Sequence, residues 1–392
     1  MPWSLRMTLI VALIGFLSIL YHYWRFSWAV NQTQLRKKIY WKSGFAGMIL
    51  LFFLYPLFGY ITYLFSGSFP MDDFPKWTVY LFWYGFIFST VMLTWVLIAD
   101  FIRLVTRYLF SIKSQKSEVL YGKVFIGLMI VGLLFTATKT VWDTNRIVVE
   151  EIEQPIESSS LSTPLTGVHI ADLQADRYTT PEKMAQYIEV VNSFEPDLVV
   201  FAGDLVTSGL DYVKAGADAM AGIESTHGAF AVIGDHDYWS GEEEITNALE
   251  ERGIQVLRDE NRVVDYHGES ILLTGVTEIY STRPSQDRLQ ELMDGAGEYD
   301  FRILLSHQAS DRLIEQSNRT GYNQLLYGHT HGGQIKIPVF FQKMTGAVRD
   351  TEYVKGHWWF DDMLLNVNRG LGFTLSPVRY NAPAEVSVIR VQ

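Results

Sequence analysis

Four apolar runs crowd the first 142 residues, at about 7–23, 43–65, 77–101 and 124–142. Each is long enough to cross a hydrocarbon core as a helix, where every backbone polar group must be satisfied within the segment. A cleaved leader does not account for the first run, because no small-residue cleavage site follows it and three more spans come behind. Pro56 falls inside the second run and is expected to kink it. Trp24, Trp28, Tyr40, Trp41, Trp77, Tyr121 and Trp142 stand near the run ends, as interfacial aromatic belts do.

Charge divides the chain into two kinds of object. Residues 1–142 carry 13 Lys and Arg against 4 Asp and Glu, whereas the remainder carries 19 against 39. Basic residues gather between runs one and two (Arg25, Arg36, Lys37, Lys38, Lys42) and between three and four (Arg103, Arg107, Lys113, Lys116, Lys123). The loop between two and three has only Lys76, against Asp72 and Asp73. Positive loops stay in the cytoplasm, so both termini and the acidic part are expected on the extracytoplasmic side. In a bacterium that is the outer face of the inner membrane. The ionisable residues Asp100 and Lys139 lie near run ends, where snorkelling accounts for them. Plain anchoring therefore fits these helices better than transport. There is no cysteine, hence no disulfide, thiolate metal site or cysteine nucleophile.

Residues 143–164 read as an acidic linker punctuated by Pro155 and Pro164. From Leu165 onward, short apolar runs alternate with helical stretches. Strands are expected at 165–171, 197–202, 229–233, 301–305, 324–327, 363–367 and 386–391, with a strand-rich stretch at 254–275. Helices are expected at 181–194, 211–223, 242–252 and 285–293. Such alternation argues for an α/β core covered on both faces. Five of these strands end in a carboxylate or imidazole: Asp172-Leu173-Gln174, Gly203-Asp204, Gly234-Asp235-His236-Asp237, His307, and Gly328-His329-Thr330-His331-Gly332-Gly333-Gln334. Ligands of open α/β sheets bind beyond the carboxyl ends of strands, so the five loops should converge. Imidazoles and carboxylates brought together there suit a divalent metal. His169, His227 and His267 read as structural, and His357 is open between the two readings. The aromatic stretches 338–341 and 357–360 are either core or an apolar wall.

This series of motifs resembles the calcineurin-like metallophosphoesterases over about residues 165–390, and in particular their membrane-associated branch. Gly328 to Gln334 and Asn368-Arg369-Gly370-Leu371-Gly372 carry the latter likeness. The resemblance implies a four-layer α/β/β/α sandwich with two divalent metal ions at the sheet edge. It assigns one ion to Asp172, Gln174, Asp204 and His331, and the other to Asp204, Asp235, His307 and His329, with Asp204 bridging. It makes His236 the general acid, oriented by Asp237, and brings Arg369 to the substrate. A hydroxide activated by both ions would attack phosphorus, and His236 would protonate the departing oxygen. Two positions depart from the family pattern: Gln174 stands where it usually has histidine, and Asp235 where it usually has asparagine. The resulting oxygen-rich set favours manganese, with iron, zinc or magnesium as alternatives.

The implied activity is hydrolysis of a phosphodiester, pyrophosphate or phosphomonoester. Tethering to a bilayer favours a phospholipid or a lipid-linked sugar phosphate. A domain charge near −20 disfavours long nucleic acid. Two readings from other classes stand beside this one. The Gln174 and Asp235 exchanges could leave an inactive metal-binding sensor or scaffold, or the acidic part could regulate a small transporter.

Overall fold

A computed structural model describes all residues except 34, 70–72, 113, 295–297, 340, 341 and 350. The chain divides into two compact units, one of 1–144, 335–345 and 375–381, the other of 145–334, 346–374 and 382–392.

The first unit holds three helices long and apolar enough to span a membrane: α1 (Trp3–Gln32), α4 (Lys76–Tyr108) and α5 (Gln115–Asn145). The second expected span is a pair, α2 (Lys38–Phe52) and α3 (Leu54–Ser66), bent by 46°. The break at Phe53 lies three residues before Pro56. Proline has no N–H to offer the Phe52 carbonyl, and its ring crowds that carbonyl, so the ladder opens on the preceding turn. The helices meet through Ile19, Phe26, Phe52, Phe88, Met92 and Phe125. Arg25, Arg103 and Arg107, expected in loops, lie within α1 and α4. Arg25 pairs with Asp100, which also accepts the Tyr21 hydroxyl at 2.5 Å. The Trp28 ring is sandwiched between the Arg25 and Arg103 guanidinium groups at 4.3 and 4.4 Å. Snorkelling thus gives way to pairing, since a buried charge is stabilised by a partner. Lys139 likewise pairs with Asp143 at 2.5 Å, one turn on. Lys113 and Asp72 lie outside the described residues.

Two excursions of the C-terminal half complete this unit. Residues 335–345 carry a hairpin of β10 (Ile337–Val339) and β11 (Gln342–Met344), and β10 packs on α4. Residues 375–381 run beside Ile335, which bridges to Tyr380. Asp143 accepts from Asn381 N at 2.7 Å, and Thr144 Oγ1 accepts from Arg379 N at 3.0 Å. The expectation of one C-terminal domain over 165–392 did not separate these segments.

The second unit stacks two six-stranded sheets. One has the order β1-β14-β2-β3-β4-β5, formed by β1 (Ile147–Gln154), β14 (Ala384–Val391), β2 (Leu165–Ile170), β3 (Leu198–Phe201), β4 (Ala229–Ala231) and β5 (Ile254–Val256). The other has the order β12-β13-β9-β8-β7-β6, formed by β12 (Gly356–Phe360), β13 (Met363–Val367), β9 (Gln324–Tyr327), β8 (Phe301–Ser306), β7 (Glu269–Val276) and β6 (Glu260–Tyr266). Strands β2 to β5 run parallel, as do β7, β8, β9 and β13. Side chains alternate: Val199 and Phe201 face helices α6 (Pro181–Asn192), α7 (Val213–Met220) and α8 (Asp235–Glu250), while Leu198 and Val200 meet Phe301, Ile303 and Leu326 of the facing sheet. Helices α9 (Gln286–Asp294) and α10 (Asp311–Arg319) cover the outer side of the second sheet. The architecture is the expected α/β/β/α sandwich.

Three readings of the sequence change. The supposed linker supplies β1, paired in parallel with β14 along its whole length. Its Ile152 and Gln154 are buried, which a free linker does not offer. Helix α10 was not anticipated, because polar residues dominate it and only Leu313 and Ile314 are buried apolar contacts. Within 357–360, Trp358 and Phe360 pack on the core, while Trp359 is exposed; Phe340 and Phe341 of the other aromatic stretch lie outside the described residues.

Between the sheets, His169 Nδ1 meets Asn366 Oδ1 at 2.6 Å. Burial pushes the His169 pKa down from 6.5 to about 4, with the Asn366 bond opposing part of the shift. Across that window the unfolded chain binds a proton that the folded chain refuses. Stability therefore falls as pH drops from 6.5 toward 4, by up to roughly 3 kcal/mol. His169→Gln is expected to flatten the melting temperature against pH over this range. An unchanged slope would assign the acid lability to other groups.

Trimming the chain tests the division into units. A protein beginning at residue 146 leaves 335–345 and 375–381 without α4, Asp143 and Thr144. Trypsin is then expected to cut at Lys336 and Arg379, sites resistant in the full chain. Equal resistance in both forms would show that these segments hold their structure without the helices.

Candidate metal centre

Every expected ligand lies just beyond the carboxyl end of a parallel strand: Asp172 and Gln174 after β2, Asp204 after β3, Asp235 after β4, His307 after β8, and His329 and His331 after β9. The turns there are tight. Asp172, Gln174, Asp204, His329 and His331 all have positive φ, between 49° and 67°. Non-glycine residues pay of order 1 kcal/mol for that region, and short polar side chains tolerate it best. Gly234 packs against Asp204 so closely that a Cβ would collide with the carboxylate. Gly370 (φ 69°) lies as close under Asp172, where a Cβ would come within 2.6 Å of the aspartate's own.

The side chains meet in two groups among the described residues, Asp172 with Asp204 and His307, and Asp235 with His307 and His329, each with ligand atoms within 4.8 Å of one another. His307 Nε2 stands 3.4 Å from Asp204 and 3.6 Å from Asp235, His329 Nδ1 3.2 Å from Asp235, and His331 Nε2 3.4 Å from Asp172. His307, rather than Asp204 alone, is thus the common vertex, and His331 reaches the centre through Asp172. Gln174 donates from Nε2 to Asp204 Oδ2 at 2.8 Å, and its buried Oε1 has no hydrogen-bond partner. His307 Nε2 is buried facing the Asp204 and Asp235 carboxylates, while its Nδ1 is held by the Ala202 carbonyl at 2.7 Å. A buried amide oxygen and an imidazole nitrogen among three carboxylates fit a cation, which would take the place of the imidazole proton.

The electrostatics agree. Burial raises the Asp204 carboxyl, but His307 and His236 outweigh it and hold the group well below its ordinary range. Asp235 is likewise lowered on balance, burial being overcome by His329 and His307. Burial works against protonation of His307, yet Asp204, Asp172 and Asp235 together push it well above 6.5. The pocket draws positive charge into a dry site, whether as protons or as a metal ion.

Two expected roles move. Asp237 does not touch the His236 ring. Its carboxylate is buried and accepts the backbone N–H groups of Asp204, Leu205 and Gly234 at 2.8 to 3.1 Å, with Val206 at 3.3 Å. At the third residue of α8 it faces back toward the loop after β3, and so clamps backbone instead of a side chain. His236 is oriented by the Thr207 carbonyl, 2.5 Å from Nδ1, which leaves Nε2 facing Thr374 Oγ1 at 3.4 Å. Arg369, expected to contact substrate, is engaged with carboxylates of its own domain. It pairs with Glu150 at 2.9 Å and with the buried Glu385 at 2.5 Å. Glu385 is raised to about 7 by burial, with Arg369 pulling the other way. The motif around Arg369 instead supports the centre, since the Asp172 carbonyl accepts from Gly372 N at 2.7 Å. His357 contacts Glu150 at 3.4 Å, far in chemistry from the ligand set.

Some contributors went unread. Gln308 donates to Asp235 Oδ2 at 2.5 Å, and its place directly after His307 was the available signal. Tyr280, after β7, donates its N–H to Asp235 Oδ1 at 2.8 Å and sets its hydroxyl 3.2 Å from His329 Nε2. The carboxylate at that strand end, Glu278, pairs with Arg312 at 3.4 Å and is not one of the expected ligands. Gln334 and Thr374 exchange two hydrogen bonds, at 2.9 and 3.0 Å, which fix the loop facing His236.

Residues 166–333 match the family profile of the calcineurin-like phosphoesterases. An uncharacterized metallophosphoesterase of Helicobacter pylori (strain ATCC 700392 / 26695) is 28% identical over 61% of this chain and 63% of its own length. The match thus covers less than two thirds of that relative. The uncharacterized metallophosphoesterase YkuE of Bacillus subtilis (strain 168) is 28% identical over 62% of this chain and 86% of its own. Phosphodiesterase YaeI of Escherichia coli (strain K12) is 24% identical over 59% and 83%.

Gln174 offers a direct test of the ligand arrangement. Gln174→Ala removes both an amide oxygen and the donor that orients Asp204, and is expected to lower the metal retained after dialysis by about half. Atomic absorption reads the result, and unchanged content would exclude Gln174 from the metal set.

Proposed function

We propose that the protein is a metal-dependent phosphoesterase of the membrane surface, which hydrolyses a phosphodiester, pyrophosphate or phosphomonoester bond of a lipid or lipid-linked substrate. The observation that carries this reading is the convergence of Asp172, Asp204, Asp235, His307 and His329 into two groups that share His307, with the buried Gln174 Oε1 beside them. Asp172, Gln174, Asp204 and His331 would hold one ion, and Asp204, Asp235, His307 and His329 the other. When bound, the pair would acidify water and neutralise charge on the phosphoryl oxygens. Three carboxylates and an amide favour manganese over softer ions.

The protein's own contribution is positioning and proton transfer. A water adds to phosphorus as the P–O bond to the leaving group breaks, and the leaving oxygen needs a proton. His236 would give it from Nε2 in its imidazolium form, with the Nδ1 hydrogen held by the Thr207 carbonyl and the ring thereby oriented. Asp237 and Gly234 hold that helix start against the loop of Asp204, so acid and ligands share one frame. The lipid substrate rests on the three spanning helices and the bent pair, which keep the domain at a bilayer. The distribution of Lys and Arg supports an extracytoplasmic, inner-membrane placement of the domain.

Turnover of bis-p-nitrophenyl phosphate with added manganese is expected, and none with any divalent ion would sink the enzyme reading. His236→Ala is expected to retain metal while kcat falls by roughly 10²- to 10⁴-fold. Asp204→Ala is expected to lose most of the metal as well as activity. Metal loss in His236→Ala would mean that the division between ligand and acid is mistaken.

A further inference from the structure

Among the described residues of the second unit, seven large apolar side chains are exposed: Leu210, Tyr238, Trp239, Val263, Tyr280, Val348 and Trp359. Leu210, Trp239 and Tyr280, 44%, 55% and 57% exposed, stand on segments that carry or adjoin the metal centre. Leu210 follows Asp204 in the loop after β3, Trp239 lies in the first turn of α8 beyond Asp235 and His236, and Tyr280 follows β7. Exposed aromatic surface costs free energy in water and collects where a ligand will cover it.

Their contacts fix the patch to the reacting groups. Trp239 meets the His236 ring edge-on, with centroids 5.5 Å apart. Tyr280 meets His329 in the same way at 5.0 Å, and its backbone holds Asp235. Trp239 Nε1 donates to Ser281 Oγ at 2.7 Å, which joins the two loops. Leu210 packs against the kink of α8 at Gly241 (φ 143°), where a Cβ would lie 3.1 Å from its methyl. The indole is therefore anchored by its polar edge and leaves its apolar face beside the histidine that protonates the leaving oxygen.

We infer that Trp239, Tyr280 and Leu210 form an apolar subsite that takes the hydrocarbon portion of an amphiphilic phosphate ester beside its leaving oxygen. This deepens the phosphoesterase reading and rests on it. An acyl or prenyl phosphate offers such a surface a hydrocarbon chain, whose length the aliphatic Leu210 beside the two rings lets it sense. Unlike an ionic subsite, this one takes its selectivity from chain length, each methylene covered adding to binding.

The test uses the full-length protein in lipid nanodiscs, loaded with manganese, and a series of n-alkyl phosphates from ethyl to octyl. Binding is read by calorimetry, so that it does not depend on turnover, which is measured separately with bis-p-nitrophenyl phosphate. Octyl phosphate is expected to bind roughly tenfold or more tightly than ethyl phosphate, given partial cover of six added methylenes. In Trp239→Ala and Tyr280→Ala that ratio should fall below about threefold, while Trp239→Phe, which keeps an apolar face, retains it. Trp359→Ala, exposed on β12, serves as the control and should keep the full ratio. A wild-type ratio near one, or a ratio undiminished in both alanine variants, overturns the subsite. Absence of turnover with chain-length-dependent binding intact would instead overturn the hydrolase reading and leave the amphiphile site standing.

Discussion

The buried carboxylate of Asp237 is the fastening on which the centre depends. It accepts main-chain N–H groups on both sides of a gap between two loops, those of Asp204, Leu205 and Val206 on one side and that of Gly234 on the other. Burial, aided by the nearby Asp204 charge, raises its pKa to about 6, against the backbone donors and the charge on His307. A single side chain thereby sets the distance between the strand end that carries Asp204 and the helix start that carries Asp235 and His236. Were it lost, four N–H groups would lose their acceptor.

The sandwich exists to make that fastening rigid. Strands β2, β3 and β4 in one sheet and β8 and β9 in the other deliver their loops to one edge, and the inter-sheet core of Leu198, Val200, Phe301, Ile303 and Leu326 holds the two edges in register. The polar cost is concentrated at two places. One is the His169–Asn366 contact inside that core. The other is the Glu150–Arg369–Glu385 cluster, which links β1 and β14 to the loop after β13. Charges buried in this way add little net stability but penalise any alternative register.

Much of this was legible in the residues. Apolar runs ending in Asp or His located the strands and the centre together, because parallel strands buried on both faces read as continuous hydrophobic stretches. What stayed hidden has a common cause. Strand β1 looked like a linker because its outward residues are Glu150, Glu151 and Glu153, and only its pairing with β14 reveals it. Helix α10 is mostly polar. Asp237 was read as a partner for His236 on sequence adjacency, though on a helix adjacent residues point apart. The Thr207 carbonyl that does the orienting is a backbone group, which no side-chain motif announces. Likewise, the attachment of 335–345 and 375–381 to the helical unit rests on main-chain bonds to Asp143 and Thr144.

The positive φ angles of Asp172, Gln174, Asp204, His329 and His331 carry a consequence for how such a centre diversifies. Asn, Asp and His are the side chains that best tolerate this backbone region, and they are also metal donors. Steric selection and coordination chemistry therefore draw on overlapping alphabets at these positions. One donor can replace another with little displacement of the chain. The presence of glutamine at 174 is an instance, since its backbone sits in the same left-handed well as that of Asp172. The centre behaves as a fixed socket with exchangeable contacts, in which the preferred ion can drift while the architecture stays still.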